Sequence, residues 1–85
     1  MEFKGTKGKW ERVLLEKTDF YQRRNEIHYG KDGECVAEFV HDDYDALLIS
    51  KAPEMLEMLK RLIQPDLDIS DLIEAENLIK EATEL

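Results

Sequence analysis

The stretch Asp43-Tyr44-Asp45-Ala46-Leu47-Leu48-Ile49-Ser50-Lys51-Ala52-Pro53-Glu54-Met55-Leu56-Glu57-Met58-Leu59-Lys60-Arg61-Leu62-Ile63 carries the strongest periodic signal in the chain. At helical spacing Tyr44, Leu48, Ala52, Met55, Leu59 and Leu62 form one apolar stripe. Ser50, Glu54, Glu57, Arg61 and Gln64 form the opposite, wet stripe. Pro53 has no N–H and its ring crowds the preceding turn. The helix is therefore expected to kink near Lys51 and Ala52, with Pro53 opening a second segment. Asp42 or Asp43 is the expected N-cap, and Gln64-Pro65 the stop.

Downstream, residues 67–85 read as a final helix. Asp68 or Ser70 can cap it, and Asp71 with Glu74 has capping-box spacing. Leu72, Ala75, Ile79 and Ala82 are expected to face inward, while Glu76 and Lys80 are spaced for an i,i+4 pair.

Upstream, residues 10–17, 26–29 and 34–40 read as strands, centred on Val13-Leu14-Leu15, Ile27 and Val36. Gly30-Lys31-Asp32-Gly33 is a hairpin turn. A two-residue loop sets Lys31 against Glu34 and Tyr29 against Val36; a four-residue loop sets Tyr29 against Glu34, His28 against Cys35 and Ile27 against Val36. Residues 18–25 read as a connecting loop that exposes Arg23 and Arg24 beside Phe20 and Tyr21, an arrangement able to stack on a nucleobase. Residues 1–9, with Lys4, Lys7 and Lys9, read as a flexible basic arm. The expected fold is α+β: a three-stranded antiparallel sheet, then a Pro-kinked helix and a C-terminal helix packed on one face (βββαα). Residues 1–85 make one domain: the arm at 1–9, the sheet at 10–41 and the helical half at 42–85.

The net charge of -8 is unevenly placed. Residues 1–41 hold eight acids and eight bases, whereas residues 42–85 hold twelve acids against Lys51, Lys60, Arg61 and Lys80. The helical half therefore disfavours direct DNA binding and suits a basic protein partner. Glu54, Glu57, Glu74, Glu81 and Glu84 are the candidate contacts on that side, with Arg23 and Arg24 on the other. The single Cys35 fits a reducing compartment, and no run is long enough to cross a bilayer. Leu47, Ile49, Leu56, Met58 and Ile63 fall outside the main stripe. That apolar width exceeds what three short strands can cover, so either the last helix wraps both flanks or a patch remains for a second copy or another partner.

Catalytic patterns are missing from the sequence. His28, Cys35, His41, Asp42 and Asp43 lack the spacings of a zinc site. Ser50 has no nucleophile-elbow glycines around it, and no glycine-rich loop precedes a helix. Neither an enzyme nor a metal or other cofactor is expected.

Three segments resemble a group of small bacteriophage and prophage proteins. Gly8-Lys9-Trp10-Glu11 is similar to the group's Gly-x-Trp opening, and Gly33 to Phe39 to its Gly-x-x-Ile-Ala-x-Val strand. Asp45-Ala46-Leu47-Leu48-Ile49-Ser50-Lys51-Ala52-Pro53-Glu54-Met55-Leu56-Glu57 is similar to its Asn-Ala-x-Leu-Ile-Ala-Ala-Ala-Pro-Glu-Leu-Leu-Glu. The likeness spans roughly residues 8–60; Asp45 replaces the usual Asn, Ser50-Lys51 replaces two alanines, and the last helix is unmatched. The resemblance implies a phage accessory protein in the cytoplasm of an infected bacterium. It implies action by binding, as an inhibitor of a host defence such as CRISPR-Cas. An oligomeric sponge for a signalling nucleotide, or a structural or regulatory phage component, is the alternative.

Overall fold

The structure, a computed structural model, describes residues 2–85; Met1, the first residue of the expected arm, lies outside the described residues. Strands β1 (Trp10–Leu15), β2 (Arg24–Tyr29) and β3 (Glu34–Val40) form an antiparallel sheet in the order β1-β2-β3. Helices α1 (Asp43–Ser50), α2 (Ala52–Leu62) and α3 (Ile69–Thr83) follow. The expected α+β order is present, with the kinked helix divided into α1 and α2. No helix among the described residues is long and apolar enough to cross a membrane.

The β2–β3 hairpin uses the four-residue loop: Tyr29 pairs with Glu34 and His28 with Cys35. Gly30 and Gly33 sit at φ of 70° and 69°, which a side chain would resist. Further along, the register shifts twice, so that Ile27 pairs with Ala37 rather than with the expected Val36, and Asn25 with Val40. The second irregularity carries Phe39 at φ 57°, a left-handed conformation uncommon for a bulky residue.

One polar knot joins all three strands to α1. Asn25, expected in a loop, lies within β2 and is fully buried. Its Nδ2 donates to the Val40 carbonyl at 3.1 Å and to Asp43 Oδ1 at 2.9 Å. Its Oδ1 accepts from Arg12 Nε of β1 at 2.8 Å. The Arg12 guanidinium also lies 3.4 Å from Asp43 Oδ1, and Arg23 donates to Asp43 Oδ2 at 2.8 Å. The two adjacent aspartates divide the work. Asp42 is the N-cap, accepting from the Tyr44 and Asp45 amides, and leaves Asp43 to bind the sheet.

That anchorage sets the rotation of α1. Ala46 and Ser50 are buried, Ala46 completely, while Tyr44 is 57% and Leu48 47% exposed. Half of the expected apolar stripe is thus turned outward, Tyr44 and Leu48 on α1 and Leu59 on α2 at 61% exposure, while Ala52, Met55 and Leu62 are half-buried. Small residues win the inner face because they let the helix backbone approach the sheet closely. The break after α1 falls at Lys51, which closes α1 and precedes α2, with Pro53 in the first turn of α2 rather than at its head. The helices meet the sheet mainly through α1; α3 packs equally on α1 and α2, and α2 mainly on α3.

Asp68 caps α3 in a reciprocal capping box with Asp71, three residues earlier than the Asp71–Glu74 spacing suggested. The inner face of α3 is Asp71, Ala75, Leu78 and Ala82, and the expected Leu72 and Ile79 lie in water at 53% and 64% exposure. The Glu76–Lys80 pair forms at 3.6 Å. The result is elongated, 54 × 27 × 17 Å, with a radius of gyration of 15.1 Å. A compact chain of this length has a radius near ~12 Å.

Asn25→Ala should lower unfolding stability by about 2–3 kcal/mol, because it strands buried polar partners on three elements. Asp68→Ala should lower it by about 1 kcal/mol. Urea titration checks both. Arg23 and Asn25 hold Asp43 at about 2, below its usual 3.8, so its contribution is intact at neutral pH and lost as pH falls from the usual value through about 2. Asp43→Asn should flatten that acid limb of the stability profile.

Candidate partner-binding site

An open groove of about 810 Å³ runs between the N-terminal arm and the α2–α3 hairpin. The arm forms one wall through Phe3, Lys7 and Lys9. Four of the sequence-predicted acids, Glu54, Glu57, Glu74 and Glu81, line it together. Glu54 and Glu57 point the same way because they lie three residues apart on α2; on α3, Glu74 and Glu81 are two turns apart.

The four carboxylates differ in how they are satisfied. Lys60 donates to Glu57 at 3.3 Å. Arg61 bridges to Glu74 and to Asp71 across the hairpin, and the two acids raise its pKa, Glu74 the more. Lys51 lies 4.0 Å from Glu81, which is largely exposed. Glu54 stands apart: its Oε2 is buried and accepts no hydrogen bond. A buried carboxylate oxygen without a donor is costly, and a guest ammonium or guanidinium would satisfy it. Glu84 lies outside the groove, as the C-cap of α3.

The two arginines named from sequence are elsewhere and engaged. Arg23 is held by Asp43. Arg24 lies in β2, not in a loop. Its guanidinium carbon is 5.1 Å from the ring centres of both Tyr21 and Phe39, and it pairs with Glu26 at 3.4 Å. With its side chain only 14% exposed, Arg24 is stacked by the chain's own aromatics and is not offered to an outside base. Phe39 reaches this position through its left-handed backbone, which no sequence pattern announces.

On the sheet face away from α1, Glu26, His28 and Cys35 bring one donor atom each within 4.8 Å of the others. Glu26 Oε1 accepts from His28 Nε2 at 2.9 Å and from Cys35 Sγ at 3.5 Å. Burial, and then the Glu26 carboxylate, push the Cys35 thiol up; the His28 hydrogen bond pulls Glu26 down. These residues can hold a soft cation in principle, but Arg24 already supplies positive charge to the same carboxylate. The trio is satisfied within itself, and the raised thiol is the opposite of an activated nucleophile.

Compared with known proteins, the chain matches no family model, no curated protein and no solved structure. The functional reading therefore rests on its own residues. The acidic lining was legible in the charge asymmetry; the arm's part in the groove was not, since Phe3, Lys7 and Lys9 carry no contact signal in sequence.

Glu26→Gln removes the negative neighbour that helps hold Cys35 protonated. Alkylation of Cys35 by iodoacetamide at pH 8 should become several-fold faster, as read by mass spectrometry over time.

Proposed function

We propose that this protein acts by binding and is not an enzyme: an accessory protein of a phage that occupies a basic protein of the bacterial host's antiviral defence, a CRISPR-Cas nuclease being the class in view. It would work in the cytoplasm of the infected cell. The observation that carries the binding reading is the acid-lined groove with the unsatisfied Glu54 Oε2 buried in it. A lysine or arginine of the partner would enter between the arm and the α2–α3 hairpin, meet Glu54, and compete with Lys60 and Arg61 for Glu57 and Glu74. The phage and defence parts of the reading rest on the resemblance of residues 8–60.

A second reading, a sponge for a small anionic ligand such as a signalling nucleotide, draws on one feature. The groove volume lies within the usual range for small-molecule sites, and Lys7 and Lys9 stand on its wall beside Phe3. The acids opposite weigh against it.

Expression of the chain should raise phage plating on a CRISPR-immune host by at least about 10²-fold. Glu54→Gln/Glu57→Lys/Glu81→Lys should abolish the gain and weaken binding to the purified nuclease at least tenfold, about 1.4 kcal/mol. Binding should also weaken as salt rises. Unchanged plating on hosts carrying each defence type sinks the inhibitor reading. A nucleotide released from heat-denatured purified protein supports the sponge instead.

A further inference from the structure

We infer that the apolar flank of the α2–α3 hairpin, on the side away from the acidic groove, is the interface between two copies of this chain. At helical spacing, the groove residues Glu54, Glu57 and Met58 lie on one side of α2 and Leu59 on the other; Ile63, the C-cap of α2, follows the groove residue Leu56 by seven positions and is not part of this flank. On α3 the same holds for Glu74, Asn77 and Glu81 against Leu72 and Ile79. Because the two helices run antiparallel with their inner faces together, these flanks fall on one side of the hairpin. Leu59, Leu72 and Ile79 are 61%, 53% and 64% exposed, so three large aliphatic groups on this side of the hairpin are in water.

Three observations select a second copy as the occupant. Among the described residues, the buried apolar set is only Ile27, Ala46, Met58 and Ala82, too little core for a chain of this size to stand alone comfortably. The accessible surface is 6481 Å², about 1,200 Å² above that of a compact monomer of the same mass. A standard interface takes about 800 Å² from each partner, so this excess leaves room for one. The charge pattern also separates the two faces. The groove carries charged side chains of both signs that a second copy would have to desolvate, whereas the apolar flank is bordered by the self-neutralised pair Glu76–Lys80.

A two-fold axis through the flank pairs each hairpin with the same surface of the other, giving a four-helix bundle core. Both acidic grooves then remain outward, one on each side, with a sheet at each end. The dimer stands without the proposed function; if that function holds, the assembly is bivalent.

Light scattering during size-exclusion chromatography, with sedimentation equilibrium over a hundredfold concentration range, tests this. The expected mass is twice 10.0 kDa, and the melting temperature should rise with protein concentration. Leu59→Glu/Leu72→Glu should lose the dimer mass, whereas Phe20→Ser, which alters an apolar group 90% exposed on the β1–β2 connection, should retain it. If the glutamate variant fails to fold, the concentration dependence of the wild-type melting temperature decides alone. A 10.0 kDa species at every concentration, with a concentration-independent melt, overturns the inference. So does a dimer that survives both glutamates. A monomer that gains mass only with a purified defence nuclease overturns it in favour of that partner on the flank.

Discussion

The structure depends on how Asp43 is held. Its carboxylate receives Asn25, Arg12 and Arg23 at the point where the sheet hands over to the helices. Satisfying it requires β1, β2 and the end of β3 to be in place, and it fixes the rotation of α1. Asn25 is the centre, because a buried amide must find partners for both its oxygen and its nitrogen, and only this arrangement supplies them. The site on α2 and α3 inherits its position from that knot, since α1 is the main bridge between the helices and the sheet.

Once α1 presents Ala46 and Ser50 inward, Leu47 and Ile49 are left half-buried at its sides and Tyr44 and Leu48 face water. The break at Lys51 and the antiparallel return of α3 then produce a hairpin with two unlike sides. One is acidic and shares a groove with the arm; the other is aliphatic and uncovered. A small protein that keeps both sides available has given up much of its own burial, which is the cost the proposed associations would offset.

Satisfaction of hydrogen bonds separates the structural polar groups from the functional candidates. Arg23, Glu26, His28 and Cys35 are charged or reactive types, yet each is hydrogen-bonded within the chain, and Arg24 Nε, buried without a hydrogen bond, still lies 3.4 Å from its counter-charge Glu26. The buried oxygen of Glu54 has no partner. Charge density alone would have ranked the arginines as highly as the glutamates, and the geometry reverses that order.

Local rules determined a good deal here. Alternation and turn glycines placed the strands, Pro53 placed the helix break, and the imbalance after residue 41 marked the acidic half; each depends on near neighbours in the chain. Whether Tyr44, Leu48 and Leu59 face the core or the water was decided only by tertiary structure. A periodic stripe says that an apolar face exists, but not what covers it. The burial of Asn25, the register shifts from Ile27 onward, the clamp on Arg24 and the arm beside Glu54 were likewise settled by long-range contacts. Those contacts join residues between ten and about fifty positions apart, and no local pattern encodes them.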